Sequence, residues 1–240
     1  MSFLKENLMQ IHENIGTAAK KSGRKAEDIT LIAVTKTIEP NRIEALINLG
    51  VSELGENKVQ ELLTKHGIFH PEPSWHLIGH LQTNKVKYVI DKVKLIQSVD
   101  SIRLAEEINK RARQMQKRMD ILVEINIAGE TTKYGVKPAE TAHFFEHLCN
   151  FSNIRIVGLM CIAPFAKKPD ENRIYFEKML KLYVDMQEKF PHNTDIKNLS
   201  AGMSNDYMEA IEEGANMVRI GTALFGERAG QPGRLPDGTV

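Results

Sequence analysis

The chain has 240 residues, 42% of them hydrophobic and 26% charged, enough for one sizeable core and close to the roughly 250 residues of a single α/β barrel. Lys plus Arg (32) nearly cancels Asp plus Glu (31), leaving a formal charge of +1, so the chain has no global basic field with which to hold a nucleic acid or an anionic membrane. Two cysteines, Cys149 and Cys161, are too few for a disulfide scaffold and lack the spacing of a zinc ribbon. Charges fill the N-terminus where an export signal needs an apolar stretch, and the longest apolar run, 156–166, is too short to span a bilayer; a soluble cytoplasmic protein is expected.

The first element is an amphipathic helix over 3–21, in which Phe3, Leu4, Leu8, Ile11, Ile15 and Ala18 recur at three- to four-residue spacing before Gly23 stops it. Short apolar runs then alternate with helical patterns, with strands expected at 30–36, 51–54, 75–79, 94–98, 121–127, 154–161, 195–200 and 216–220. About eight near-continuously apolar strands in βα rhythm predict a (β/α)₈ TIM barrel, with the leading helix as an addition; an open doubly wound sheet is the alternative. No G-x-G-x-x-G follows the first strand, so a dinucleotide-binding turn is not supported. Gly230, Pro232, Gly233, Pro236 and Gly238 crowd the end: residues 1–228 are expected to form one domain and 229–240 a loose tail.

In such a barrel the chemistry collects at the C-terminal strand ends. There the sequence places Lys36, Glu56 with Asn57, His80, Ser98 with Asp100, Asn126, Cys161, Ser200, and Arg219 with Gly221 and Thr222. Lys36 continues the inward row of Ile32 and Val34 by period-two geometry. Partial desolvation at that place favours the free amine, a nucleophile able to form a Schiff base, although a lysine snorkelling to solvent would occupy the same position. The loops 199–206 and 217–223 offer small residues, hydroxyls and helix starts, which suit a phosphate; helix capping by Ser204 or Asn205 is the plainer reading and is compatible with it. An amine nucleophile opposite a phosphate cradle describes a carrier of a phosphorylated aldehyde, of which pyridoxal phosphate is the obvious candidate.

The segments Ala33-Val34-Thr35-Lys36, Gly55-Glu56-Asn57-Lys58-Val59-Gln60-Glu61, Trp75 through Lys85, Gly158-Leu159-Met160, Leu199 through Asp206 and Val218 through Gly226 occur in the order and with the content of a known family. By them the chain resembles the pyridoxal-phosphate-binding homeostasis proteins of the YggS and PROSC type, over nearly its whole length to about Arg228. The resemblance implies a barrel like the N-terminal domain of alanine racemase, with Lys36 as the Schiff-base lysine and Asn57 lining the cofactor. It further implies Ser200, Gly202, Gly221 and Thr222 at the phosphate and Arg219 facing the pyridine nitrogen. A permanently charged guanidinium there disfavours a protonated ring and weakens it as an electron sink. The implied role is to carry or buffer pyridoxal phosphate in vitamin B6 homeostasis, with an indirect effect on amino-acid metabolism, transfer to pyridoxal-phosphate-dependent apoenzymes as an open question and no turnover required. The alternative is an amino-acid racemase using Lys36 and a second base such as His80 or Cys161. The barrel consumes the residues at hand, so a racemase's second domain and its tyrosine are not expected; the cofactor would be exposed on one face and the protein a monomer.

Other motifs point elsewhere and are outweighed. His143-Phe144-Phe145-Glu146-His147 fits H-x-x-E-H, but its polar stripe lies opposite an apolar one, so no metal is expected. Gly202-Met203-Ser204-Asn205-Asp206 misses the nucleophile elbow by its last residue. The basic cluster Arg111, Arg113, Lys117 and Arg118 follows Glu106 and Glu107 at spacings that permit ion pairs on one helix.

Overall fold

The computed structural model describes residues 2–191 and 194–227. Eight parallel strands close into a barrel in chain order: β1 (Thr30–Val34), β2 (Glu53–Glu56), β3 (Ser74–Leu77), β4 (Leu95–Val99), β5 (Met119–Ile125), β6 (Ile154–Cys161), β7 (Asn198–Ser200) and β8 (Met217–Ile220). β8 returns to β1 with Ala33 opposite Ile220, so the (β/α)₈ barrel, and not the open sheet, is the architecture. The outer layer is α2 (Pro40–Asn48), α3 (Val59–Lys65), α4 (Val86–Val89), α5 (Ile102–Gln114), α6 (Thr141–Leu148), α7 (Arg173–Lys189), α8 (Tyr207–Glu212) and α9 (Thr222–Phe225). The expected leading helix is α1 (Ser2–Lys21), which buries Leu4, Leu8, Ile11, Ile15, Ala18 and Ala19 against α8 and α9. The Gly- and Pro-rich stretch expected to be loose, 229–240, lies outside the described residues.

Parallel strands covered on both sides must be apolar on both, and two clusters result. Ile32, Leu95, Leu122, Val157, Met160 and Met217 fill the barrel interior, while a larger cluster lies between strands and helices. Each helix presents a stripe to that layer. In α5, Ser101 caps the start by accepting from the Leu104 amide at 3.4 Å, and Leu104, Ala105, Ile108 and Ala112 bury at helical spacing. β6 lies so close to β7 that a Cβ at Gly158 would stand 1.9 Å from the Asn198 carbonyl oxygen, so only glycine fits there.

Strand ends differ from the expected ones for local reasons. β2 starts at Glu53 and not at 51, because the Val51 amide closes the C-terminus of α2 by donating to the Leu46 carbonyl at 3.3 Å. β5 stops at Ile125, where the chain loops out and returns to lie parallel to the strand end: the Asn126 amide donates to the Val136 carbonyl at 3.0 Å and the Val136 amide to the Glu124 carbonyl at 2.8 Å. β1 ends at Val34, leaving Lys36 in a turn just beyond it. Among the described residues no helix is long and apolar enough to cross a membrane.

Candidate functional site

Lys36 is half-buried at the barrel mouth, between two threonines that are tied down. Thr35 donates its hydroxyl to Glu56 Oε1 at 2.6 Å. Lys65, on α3, donates to the Thr35 carbonyl, to Glu56 Oε1 and to Glu61 Oε1, each at 2.7 Å. The Thr37 amide donates to the same Glu61 oxygen, which secures Thr37 at a φ of 61° that a β-branched residue rarely adopts. Glu56, and not a residue of the mouth as its place in the sequence suggested, faces outward into this network. Burial outweighs its bonds to Lys65 and Thr35 and raises its pKa, and its Oε2 is buried with no hydrogen-bond partner among the described residues. A frame of one lysine and two glutamates thus fixes the backbone on both sides of Lys36.

The loops after β7 and β8 meet beside the end of β1, where a Cβ at Gly221 would stand 3.4 Å from Val34. Gly202 adopts φ 86°, and a Cβ there would lie 2.6 Å from that of Ala210, so the turn into α8 requires glycine. Ser204 departs from the expected cap: α8 begins at Tyr207 with no side-chain cap. The Ser204 oxygen instead crosses to the neighbouring loop and accepts the amides of Gly221 at 3.2 Å and Ala223 at 3.1 Å. Two backbone N–H groups therefore converge on one oxygen position. Asp206 accepts from the Met203 amide and the Asn172 side chain, both at 2.7 Å, and holds the loop. Thr222 is exposed and Asn57 half-buried; Gly79 lets Asn57 approach, since a Cβ at Gly79 would stand 2.5 Å from the Asn57 carbonyl oxygen.

Arg219 lies below this cradle, 4% exposed. One Nη donates to Ser200 Oγ at 2.6 Å and the other to the Cys161 carbonyl at 2.7 Å. Burial lowers its pKa while Cys161, Glu124 and Asp206 oppose the shift, and the guanidinium stays charged. Ser200 is fully buried and already donates its hydroxyl to Gln97 at 2.7 Å, so the loop backbone is what faces the cradle. Glu124, inward beside Leu122 on β5, is raised to about 7, first by burial and then by Asp100, with Arg219 pulling the other way. Asp100 pairs with His80 at 3.4 Å, and the His80 ring stacks on Tyr134 at 3.7 Å.

The structure thus brings Lys36, Gly221 and Thr222 to one side of the mouth, with Arg219 and Ser200 beneath. Cys161 does not join them as a base: its thiol is fully buried and burial pushes it up to about 12. His143 and His147 are exposed on α6, 3.2 Å apart, and among the described residues no three His, Cys, Asp or Glu are grouped to hold a metal. Arg111 pairs with Glu107 at 2.5 Å, as the helix spacing required. Glu124, Gln97 and His76 were not singled out from the sequence, and Ser204 was read there as a helix cap and not as a link between loops. For the first three the available signal was a polar residue on an inward-facing strand position; for Ser204 there was none beyond its hydroxyl.

Residues 7–229 match the family model described as alanine racemase, N-terminal domain. The pyridoxal phosphate homeostasis protein of Aquifex aeolicus is 43% identical over 93% of this chain and 97% of its own length; that of Escherichia coli is 34% identical over 95% and 98%. Among solved structures, PipY of Synechococcus elongatus with pyridoxal phosphate bound is 31% identical, with a TM-score of 0.77 over 83% of this chain and 93% of that one. An alanine racemase of Clostridium difficile, 20% identical with a TM-score of 0.70 over 95% of this chain and 58% of that one, shares the fold. Sequence and barrel agree that the chain belongs to the pyridoxal phosphate homeostasis protein family, built on the fold of the alanine racemase N-terminal domain.

Proposed function

We propose that the protein binds pyridoxal 5'-phosphate at the barrel mouth and carries or buffers it in vitamin B6 homeostasis, without catalytic turnover. The observation that carries this reading is the convergence of the Gly221 and Ala223 amides on one oxygen position, in the loop that follows β8, the strand paired with β1. Paired N–H donors, a glycine turn at 202, a lysine at the strand end and a buried guanidinium are a donor set suited to a phosphate, an aldehyde and a ring nitrogen. When bound, the cofactor supplies an aldehyde that the Lys36 amine can hold as a Schiff base. In this reading the 201–204 backbone, Gly221, Ala223 and Thr222 take the phosphate, Asn57 lines the ring and Arg219 keeps the ring nitrogen unprotonated. A PLP-bound relative, PipY, supports the cofactor's identity. Residues 1–228 acting as one monomeric cytoplasmic unit that delivers cofactor to apoenzymes complete the proposal.

The test is a visible absorption spectrum of the purified protein, then borohydride reduction and peptide mapping. The expected result is a yellow protein with the pyridoxyl group on Lys36, lost in Lys36→Ala. A colourless protein that takes up no added pyridoxal phosphate would overturn the reading, and turnover of either alanine enantiomer would replace the carrier with a racemase.

A further inference from the structure

The inward faces of β2, β3, β4, β7 and β8 share one unbroken line of hydrogen bonds that begins at the mouth and ends at the opposite face of the barrel. Arg219 Nη1 donates to Ser200 Oγ at 2.6 Å and Ser200 donates to Gln97 Oε1 at 2.7 Å. Gln97 Nε2 lies 3.0 Å from His76 Nδ1, and His76 Nε2 lies 2.6 Å from Glu53 Oε2. Lys94 donates to the second Glu53 oxygen at 2.6 Å. Glu53 opens β2 and Lys94 immediately precedes β4, which puts this end at the barrel floor. Gln97 and Ser200 are fully buried and His76 is 1% exposed.

Such a line has a direction, and Glu53 sets it. Burial works against the Glu53 charge, but the bonds from His76 and Lys94 hold the carboxyl below the ordinary value. A carboxylate only accepts, so His76 Nε2 carries the hydrogen, and a neutral imidazole then presents Nδ1 as its acceptor. A bare Nδ1 needs a donor, so the Gln97 amide nitrogen turns toward it and the Gln97 carbonyl turns toward Ser200. The Ser200 hydrogen is then committed to Gln97, and its lone pairs receive Arg219. Reversing any member leaves two donors or two acceptors facing each other among buried side chains, an arrangement that costs a hydrogen bond and strands a buried polar group.

We propose that Glu53, His76 and Gln97 are positioning residues for Arg219, acting from the barrel floor to fix the plane and hydrogen-bonding direction of the guanidinium that meets the cofactor ring. The proposal rests on the pyridoxal phosphate reading for its purpose and on the apoprotein geometry for its existence, and the two are tested apart.

In the apoprotein, nitrogen NMR of labelled histidine should show His76 as a single tautomer with hydrogen on Nε2. The Arg219 side-chain resonances should move in both Gln97→Leu and Glu53→Gln. Gln97→Glu should convert His76 to the doubly protonated form, because a carboxylate oxygen then faces Nδ1. In the loaded protein, Gln97→Leu and Glu53→Gln should shift the visible band and weaken cofactor affinity about tenfold, the worth of one neutral hydrogen bond, while Lys36 still takes the borohydride label. A merely structural role would leave the band and the Arg219 signals where they are in folded variants, and that result overturns the proposal. Should Gln97→Leu fail to fold, Glu53→Gln at the barrel rim carries the same test. A wild-type protein that takes up no cofactor ends the binding reading, and the Arg219 signals still decide the relay.

Discussion

Glu124 shows how one buried side chain sets a pH dependence. Its pKa is raised from 4.5 to about 7 by burial and by Asp100, so the folded protein holds a proton that the unfolded chain has released between those values. Stability should therefore fall as pH rises from about 4.5 to about 7 and level off above it, by up to about 3 kcal/mol for this group. Glu124→Gln keeps the shape and removes the titration. Thermal melts should find the variant close to wild type at pH 4.5 and more stable at pH 8. Equal melting differences at the two values would mean that Glu124 ionises freely in the fold. The residue was legible only in part: period two puts Glu124 on the same side as Leu122, but its neighbour Arg219 comes from β8, and that proximity exists only once the barrel has closed.

At the scale of elements, α3 and α1 are the braces of the site. Lys65 on α3 ties β1 to β2 through Thr35, Glu56 and Glu61. Lys65→Met strands Glu56 in the core and should cost about 3 kcal/mol in urea unfolding, much of it recovered by adding Glu56→Gln; additive single effects would mean that the pair does not interact. α1 braces the other side, with Asn14 donating to the Tyr207 hydroxyl at 2.8 Å and Asn7 to the Leu224 carbonyl at 3.0 Å. Ile11 lies under that contact, 3% exposed. Ile11→Ala should cost roughly 2–5 kcal/mol and speed hydrogen exchange at the Gly221 and Ala223 amides; unchanged exchange there would show that α1 does not support the cradle. The elements themselves were readable because their causes are local: helical spacing in α1, apolar runs in the strands, glycine at turns. The braces were not, because Asn14 with Tyr207, Lys65 with Thr35 and Ser204 with Gly221 join segments that no periodicity relates. For the same reason Ser204 read as a cap, its hydroxyl being equally able to serve its own helix or a foreign loop.

On the scale of the whole molecule, the inner layer is apolar except, among the described residues, for the polar line along its axis and the Glu124 carboxyl near its mouth, and the formal charges of the chain nearly balance. A parallel barrel gains its interior only when the sheet is complete, since every strand is covered by neighbours on both sides. Here the last strand supplies Arg219 and the adjoining amides, the first supplies the turn bearing Lys36, and α1 packs on the helices that follow β7 and β8. The seam between the two ends of the barrel is therefore also the place where the groups proposed to bind the cofactor meet. During synthesis the lysine leaves the ribosome early and waits, with the helix before it, for partners encoded at the far end of the message. A half-made chain lacks the proposed cradle, so newly made protein should take up no pyridoxal phosphate until translation has passed β8.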